Sequence, residues 1–250
     1  MKQEVREAVS RLVEARRTRV LAPALELPDL EAAYAVQAGV AEALGWFPEG
    51  PARHWKSGGP TDTALTHAPL PASGVWHSPA QARAWPFAWR GIEVEIALRL
   101  GQAVDAQTAA ALDHGRARSL IDAMCVSIEI VDSRWVEATQ APALAKLTDL
   151  QSHGALVLGE WIAYGDRDWS QQRGQVRVGQ QATRQFKGTH SLGDPARVLH
   201  AWLRHATPQG TVLPAGTVVT TGTWCGLLQA QAGDAVEAAF EGIGTVSVQL

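Results

Sequence analysis

The chain has 250 residues, of which 46% are hydrophobic and 19% charged, with a formal net charge of −3. That length and balance describe one large globular domain, or one domain with a small N-terminal addition. They leave no basic footprint for nucleic acid and no uninterrupted apolar run of the length that a membrane span needs.

The chain opens on MKQEVREAVSRLVEARR, charged throughout and unlike a secretion signal. Within residues 3–20, Val5, Val9, Leu12, Val13 and Arg16 recur at helical spacing and predict an amphipathic helix. The Pro-punctuated LAPALELPD follows. Asp29 then caps a second helix with Leu30, Ala33, Val36, Val40 and Leu44 on one face, closed by Gly45. Residues 48–86 are rich in Gly, Pro, Ser and His, and read as a long irregular segment folded over the strand after it. That strand covers residues 91–100. A helix is predicted over 107–123, a second strand over 126–131, a loop over 134–149 and a short buried strand over 155–158. Residues 159–188 read as meandering strands. Asp194 followed by Pro195 starts a helix with Val198, Leu199, Trp202 and Leu203 as its buried stripe, and the C-terminus alternates as a hairpin. This order is not the regular alternation of a Rossmann or barrel fold. It predicts an α+β fold with a mixed, mostly antiparallel sheet. The expected organisation is an N-terminal helical segment over 1–47 joined to a β-rich, metal-binding catalytic domain over 48–250 as one integrated unit. Ten tryptophans spread along the chain point to packing, with Trp135 and Trp224 near enough to the motifs below to line a pocket. Cys125 and Cys225 sit in apolar segments and read as buried thiols in a reducing compartment, so a cytoplasmic location is expected.

Three carboxylates carry the chemical signal. In GIEVEIALRL, Ile92, Val94, Ile96 and Leu98 share one parity, and Glu93 and Glu95 share the other. At strand periodicity the two acids project from the same face, about 7 Å apart. Like charges so placed repel, and a cation between them relieves the repulsion. The hard oxygen donors suit Mg²⁺, Mn²⁺ or Ca²⁺. Glu129, an isolated acid among Val126, Ile128, Ile130 and Val131, is a candidate third ligand. The alternative for an E-x-E strand is a solvated face.

GIEVEIALRL followed by SIEIVDSRW resembles the paired signatures of the fumarylacetoacetate hydrolase superfamily, and most of all its 2-keto-4-pentenoate hydratase branch, which includes oxalocrotonate decarboxylases. HWKSGGP with Lys56 resembles that family's lysine-bearing turn. LTDLQSHGALVLG resembles its loop before a strand, GTHSLGDPARVLHAWL its Gly-x-Pro helix start, and GDAVEAAFEGIGTVSVQL its closing hairpin. The resemblance implies a distorted, partly closed β-barrel core flanked by helices. It implies Mg²⁺ or Mn²⁺ held by Glu93, Glu95 and Glu129. It implies a catalytic Lys56, with Asp149, Ser152 and Thr223 holding the substrate. The implied activity is that of a metal-dependent hydro-lyase acting on a small 2-oxo acid, most directly by hydrating a 2-hydroxypenta-2,4-dienoate-type substrate through a metal-stabilised enolate. The alternatives are a decarboxylase or C–C bond hydrolase of 2-oxo (di)acids, or a non-catalytic metabolite-binding relative. A homo-oligomer is expected. The chain departs from the family in two places. SGGP replaces the usual Gly-Leu-Thr-like continuation of the lysine turn. The acidic Asp-Asp-Met segment is missing, and THAPLPASGVWHS offers only His67 and His77 in its place, which makes His67 the candidate for the missing acid. Arg134 in DSRW is expected to pair structurally with a nearby acid. His153, His190, His200 and His205 lack metal-ligand spacing among themselves.

Overall fold

Local signals set the N-terminal helices. In the computed structural model, which describes residues 2–208 and 210–250, α1 spans Gln3–Thr18 and α2 spans Leu30–Leu44. The Asp29 carboxylate accepts from the Ala32 N–H at 2.8 Å, an N-cap of the kind that stabilises a helix by about 1 kcal/mol. The two helices approach closely at Gly39, where a Cβ would come 2.8 Å from a Val9 methyl. Together they bury Val5, Leu12, Val36 and Val40 in a cluster that also takes Trp135, Ala145 and Leu147 from the middle of the chain.

The stretch expected to be irregular is so over most of its length but contains four short strands: β1 (His54–Gly58), β2 (Thr66–Leu70), β3 (Val75–His77) and β4 (Ala80–Gln81). Their sequences lack a strand's periodicity. Buried backbone must still pair its N–H and C=O groups, and neighbouring strands supply the partners. Pro69 is tolerated because β2 is an edge strand.

Next come β5 (Gly91–Leu100), β6 (Val104–Asp105), α3 (Ala106–Ala110), α4 (His114–Arg118) and β7 (Ile121–Val131). The single helix predicted over 107–123 is two short ones. Asp113 caps the second by accepting from the Arg116 N–H, and the strand begins at Ile121. α5 (Ala143–Thr148) interrupts the predicted loop. The remainder is β8 (His153–Leu158), β9 (Ile162–Ala163), β10 (Arg173–Val178), β11 (Arg184–Lys187), α6 (Leu199–Ala206), β12 (Val212–Leu213), β13 (Val218–Thr220), β14 (Leu228–Gln229), β15 (Ala235–Phe240) and β16 (Gly244–Gln249). The Asp194 side chain caps a 3₁₀ turn, Pro195–Val198, that leads into α6.

The main sheet runs β2-β1-β13-β5-β7-β8-β3, with β14 added to β5 and β9 to β7. A second sheet runs β11-β10-β15-β16-β4. Pairing is antiparallel except for β1 with β13, β3 with β8 and β16 with β4. The fold is therefore α+β, a curled, part-closed mixed sheet with helices on its flanks. The apolar parity of β5 (Ile92, Val94, Ile96 and Leu98) and Ile128 and Ile130 of β7 pack in one core with Val236, Phe240, Val246 and Val248 of the second sheet and Trp202 of α6. That packing turns the acidic parity of β5 away from the core. Trp135 and Trp224 are both buried, Trp135 with its Nε1 donating to the Ala145 carbonyl, so neither lines the pocket that the sequence reading allowed them.

Candidate active site

The register between β5 and β7 sets Glu93 directly opposite Glu129, and Glu95 opposite Ser127. Partners in an antiparallel pair share a face, so the three acids converge, each offering an oxygen within 4.8 Å of the other two. Glu129 is fully buried, Glu95 nearly so, and Glu93 partly. Like charges facing each other across a sheet are destabilising, and neighbouring strands supply what holds them. From β13, Thr220 donates its hydroxyl to Glu95 Oε2. The Gly222 N–H donates to the same oxygen at 3.0 Å, at a φ of 103° that favours glycine. Beside β13 lies β1 in parallel, with Lys56 level with Thr220. Lys56 Nζ reaches Glu129 Oε1 at 2.5 Å and the Gln151 carbonyl at 3.2 Å. The same Glu129 oxygen lies 2.9 Å from His153 Nδ1. Glu129 Oε2 is buried and has no hydrogen-bond partner.

The electrostatics follow from burial. Desolvation, with Glu129 close by, pushes the Glu93 carboxyl up to about 7 and that of Glu95 up to about 8. Burial alone would depress Lys56, but Glu129, Glu93 and Glu95 outweigh it and hold the ammonium above the usual lysine range. Burial also works against the charge of Glu129, and here Lys56 and His153 prevail, keeping its carboxyl below the usual value. His153 is itself shifted down by burial, towards the neutral imidazole. Three carboxylates face one ammonium. A divalent cation fits this set: the donors are hard oxygens, two of the acids are anchored through one oxygen each, and Glu129 keeps a buried oxygen free to ligate.

These groups open on a cavity of about 350 Å³ lined by Lys56, Glu93, Glu95, Gln151, Gly222 and Thr223, among others. Not every residue singled out in the sequence faces it. His67 does not. It pairs with Ser57 across the β1–β2 ribbon, while Lys56 pairs with Ala68, so His67 and Lys56 project from opposite faces. His67 Nδ1 is bonded to Ser57 Oγ at 2.9 Å, and its ring lies against His205. Burial, followed by His205 and His200, pulls its pKa down to about 3. The expectation that His67 stands in for the missing family acid is corrected on that geometry. Asp149 is corrected likewise. It is fully buried, with Oδ1 accepting from Arg16 Nη2 at 2.8 Å and from Arg134 Nε at 2.7 Å, and Oδ2 from the Arg134 N–H at 2.9 Å. It ties α1 to the turn before β8, and Arg134 takes the structural role expected of it. Ser152 is buried, with no hydrogen-bond partner for its hydroxyl. Thr223 stands on the cavity wall, but its hydroxyl donates to the Gly226 carbonyl at 3.1 Å and accepts from the Cys225 N–H. Sequence reasoning missed Gln151, Thr220 and Gly222, and gave His153 no role at the site. Gln151, His153 and Gly222 adjoin residues that were singled out and Thr220 does not, but each of the four acts on a partner remote in sequence, which no local pattern signals.

The family described as fumarylacetoacetate (FAA) hydrolase C-terminal matches residues 70–250. Two structures of 4-oxalocrotonate decarboxylase from Pseudomonas putida G7, one complexed with magnesium and adipate and one with calcium and acetate, resemble this fold with TM-scores of 0.83 and 0.81. Each is 16% identical, and each alignment covers 100% of this chain and 98% of the other. The 5-carboxymethyl-2-hydroxymuconate delta-isomerase from Mycobacterium smegmatis is 19% identical over 78% of this chain and 77% of its own, at a TM-score of 0.54. No curated protein matches the chain in sequence.

Proposed function

The chain belongs to the fumarylacetoacetate hydrolase family, and from that premise we propose that it is a divalent-metal-dependent lyase that decarboxylates a small, conjugated 2-oxo diacid. One observation carries the choice of reaction. Among the described residues lining the cavity, Lys56 is the only titratable side chain besides Glu93 and Glu95. Hydration, the reaction named first by the sequence resemblance, calls for a further acid–base group to activate water and deliver a proton. His67, the candidate for it, lies on the other face of the ribbon. Losing CO₂ requires no activated water.

Mg²⁺ or Mn²⁺ held by Glu93, Glu95 and Glu129 would polarise the substrate's 2-oxo carbonyl as a Lewis acid. The chain's own residues do the rest. Thr220 and the Gly222 N–H fix the Glu95 carboxylate, and His153 with Lys56 fixes that of Glu129. Gln151, through its carbonyl, aims the Lys56 ammonium into the cavity. There Lys56 pairs with the second carboxylate of the substrate. As the bond from that carboxylate to the skeleton breaks, its electron pair passes into the conjugated 2-oxo system and CO₂ leaves. Lys56 Nζ then supplies the proton that the carbon takes up, and solvent restores it.

The test is to follow CO₂ release from 2-oxohex-3-enedioate and absorbance loss from 2-hydroxypenta-2,4-dienoate in parallel, with the full chain and Mg²⁺. CO₂ release that outpaces hydration, stops on chelation and is absent in Glu129→Gln is the expected result. Faster turnover of the dienoate would restore the hydratase reading.

A further inference from the structure

Next to the metal cavity lies a second one of about 400 Å³, walled by Leu30, Pro60, Ala64 and Leu144. The two share Gly58, Gly59 and Gln151 as a common border. Two of those three have no side chain to block the way. At Gly59 none can be added, because a Cβ would fall 2.1 Å from the Ala64 carbonyl oxygen. The third, Gln151, is held along the annex wall, with Nε2 donating to Thr66 Oγ1 at 2.5 Å and its main-chain carbonyl accepting from Lys56. The border is therefore a low sill between two chemically different spaces, one walled by carboxylates and an ammonium, the other mostly by aliphatic carbon with Thr66, Lys146 and Gln151 as its polar groups. Lys146, the one charged side chain among the described residues of the second wall, donates to the Thr139 carbonyl at 3.1 Å. Leu30, Pro60, Ala64 and Ala143 are exposed here, so the apolar surface is open along the mouth of the site rather than packed into the core.

We propose that this annex takes an apolar branch of the substrate, and that the protein acts on 2-oxo acids whose carbon skeleton carries an apolar substituent in addition to the carboxylate that Lys56 holds. The proposal rests on the reading of the adjoining cavity as a 2-oxo acid site and adds its substrate class. The occupant follows from continuity. A chelating head held at the carboxylates leaves the sill as the way by which its carbon chain reaches apolar surface, and each methylene that crosses moves from water onto Leu30, Pro60 and Leu144.

The experiment is calorimetric titration of the full-length, Mn²⁺-loaded protein with pyruvate, 2-oxobutanoate, 2-oxopentanoate and 2-oxohexanoate. Burying a methylene is worth about a fourfold gain in affinity, so a rise of about that size per carbon is expected along the series. Ala143→Trp and Ala64→Trp fill the annex from exposed positions, and each is expected to abolish the rise while circular dichroism shows an unchanged melting transition. Affinity that stays flat with chain length while pyruvate still binds overturns the annex and leaves the metal-site reading standing. A rise that survives in both tryptophan variants also overturns it, since the chain then runs elsewhere. Failure of all four acids to bind removes the 2-oxo acid reading, and the annex with it.

Discussion

Lys56 is both a cation of the fold and the acid of the proposed reaction. Its side chain, 11% exposed, is the ammonium that meets the buried Glu129 carboxylate. Breaking a buried pair by removing one partner costs about 3–5 kcal/mol. Lys56→Met is therefore expected to lower the melting temperature of the metal-free protein, to regain part of it on adding Mg²⁺, and to reduce turnover by about 10²–10⁴-fold. Normal turnover in that variant would reject the role. The carboxylates give a second prediction, whose sign follows from their shifts. Glu93 and Glu95 are raised from 4.5 to about 7 and about 8, first by burial and then by Glu129. Between those limits the folded chain keeps protons that the unfolded chain has released. Their contribution to the stability of the metal-free protein is therefore full at low pH and is lost as pH rises through the window. Glu129, lowered, contributes in the opposite sense below 4.5. A bound dication favours the ionised acids, so the melting-temperature gap between Mg²⁺ and chelator should widen from pH 5 to 8. A gap independent of pH would contradict this.

The decisive element is the turn between α5 and β8. Leu150, Gln151 and Ser152 follow one another at φ 54°, 55° and 59°, a left-handed run without glycine that costs about 1 kcal/mol or more per residue. What holds it is Asp149, clamped by Arg16 and Arg134. The run places the Gln151 carbonyl under Lys56 and starts β8 at His153, whose ring reaches Glu129. Asp149→Ala leaves two guanidinium groups without their carboxylate. It is expected to cost about 3–5 kcal/mol in urea unfolding and to weaken Mn²⁺ binding, because the donors to Glu129 lose their placement. Stability within about 1 kcal/mol of the parent would show that the clamp does not hold the turn. The same element shows why the sequence misled at Asp149. Its segment resembles the family's substrate loop, which suggests a substrate ligand, whereas one of the two arginines that claim it, Arg16, lies far off on α1.

At the scale of the whole molecule, the N-terminal helices are bound to the β-rich part by more than adjacency. Gln37 Nε2 donates to the Leu147 carbonyl at 2.6 Å and to that of His67 at 3.3 Å, and the α1–α2 cluster takes in Trp135, Ala145 and Leu147. We propose that residues 1–47 and 48–250 unfold as one unit. The full chain should show a single thermal transition, and residues 48–250 alone should fail to melt cooperatively; a stable fragment would establish a separate domain. The sequence by itself determined the α+β class, the caps at Asp29 and Asp194, the bounds of the strand over 91–100 and the shared face of Glu93 and Glu95, because capping and alternation are local. It also carried the acids that the register then sets beside Glu129. Only the tertiary structure decided that residues 48–86 contain four short strands, that Lys56 and His67 lie on opposite faces, and which oxygens of Glu95 and Glu129 are hydrogen-bonded. Those outcomes depend on strand pairing and burial between residues far apart in the chain, and periodicity along a single segment does not record its partner.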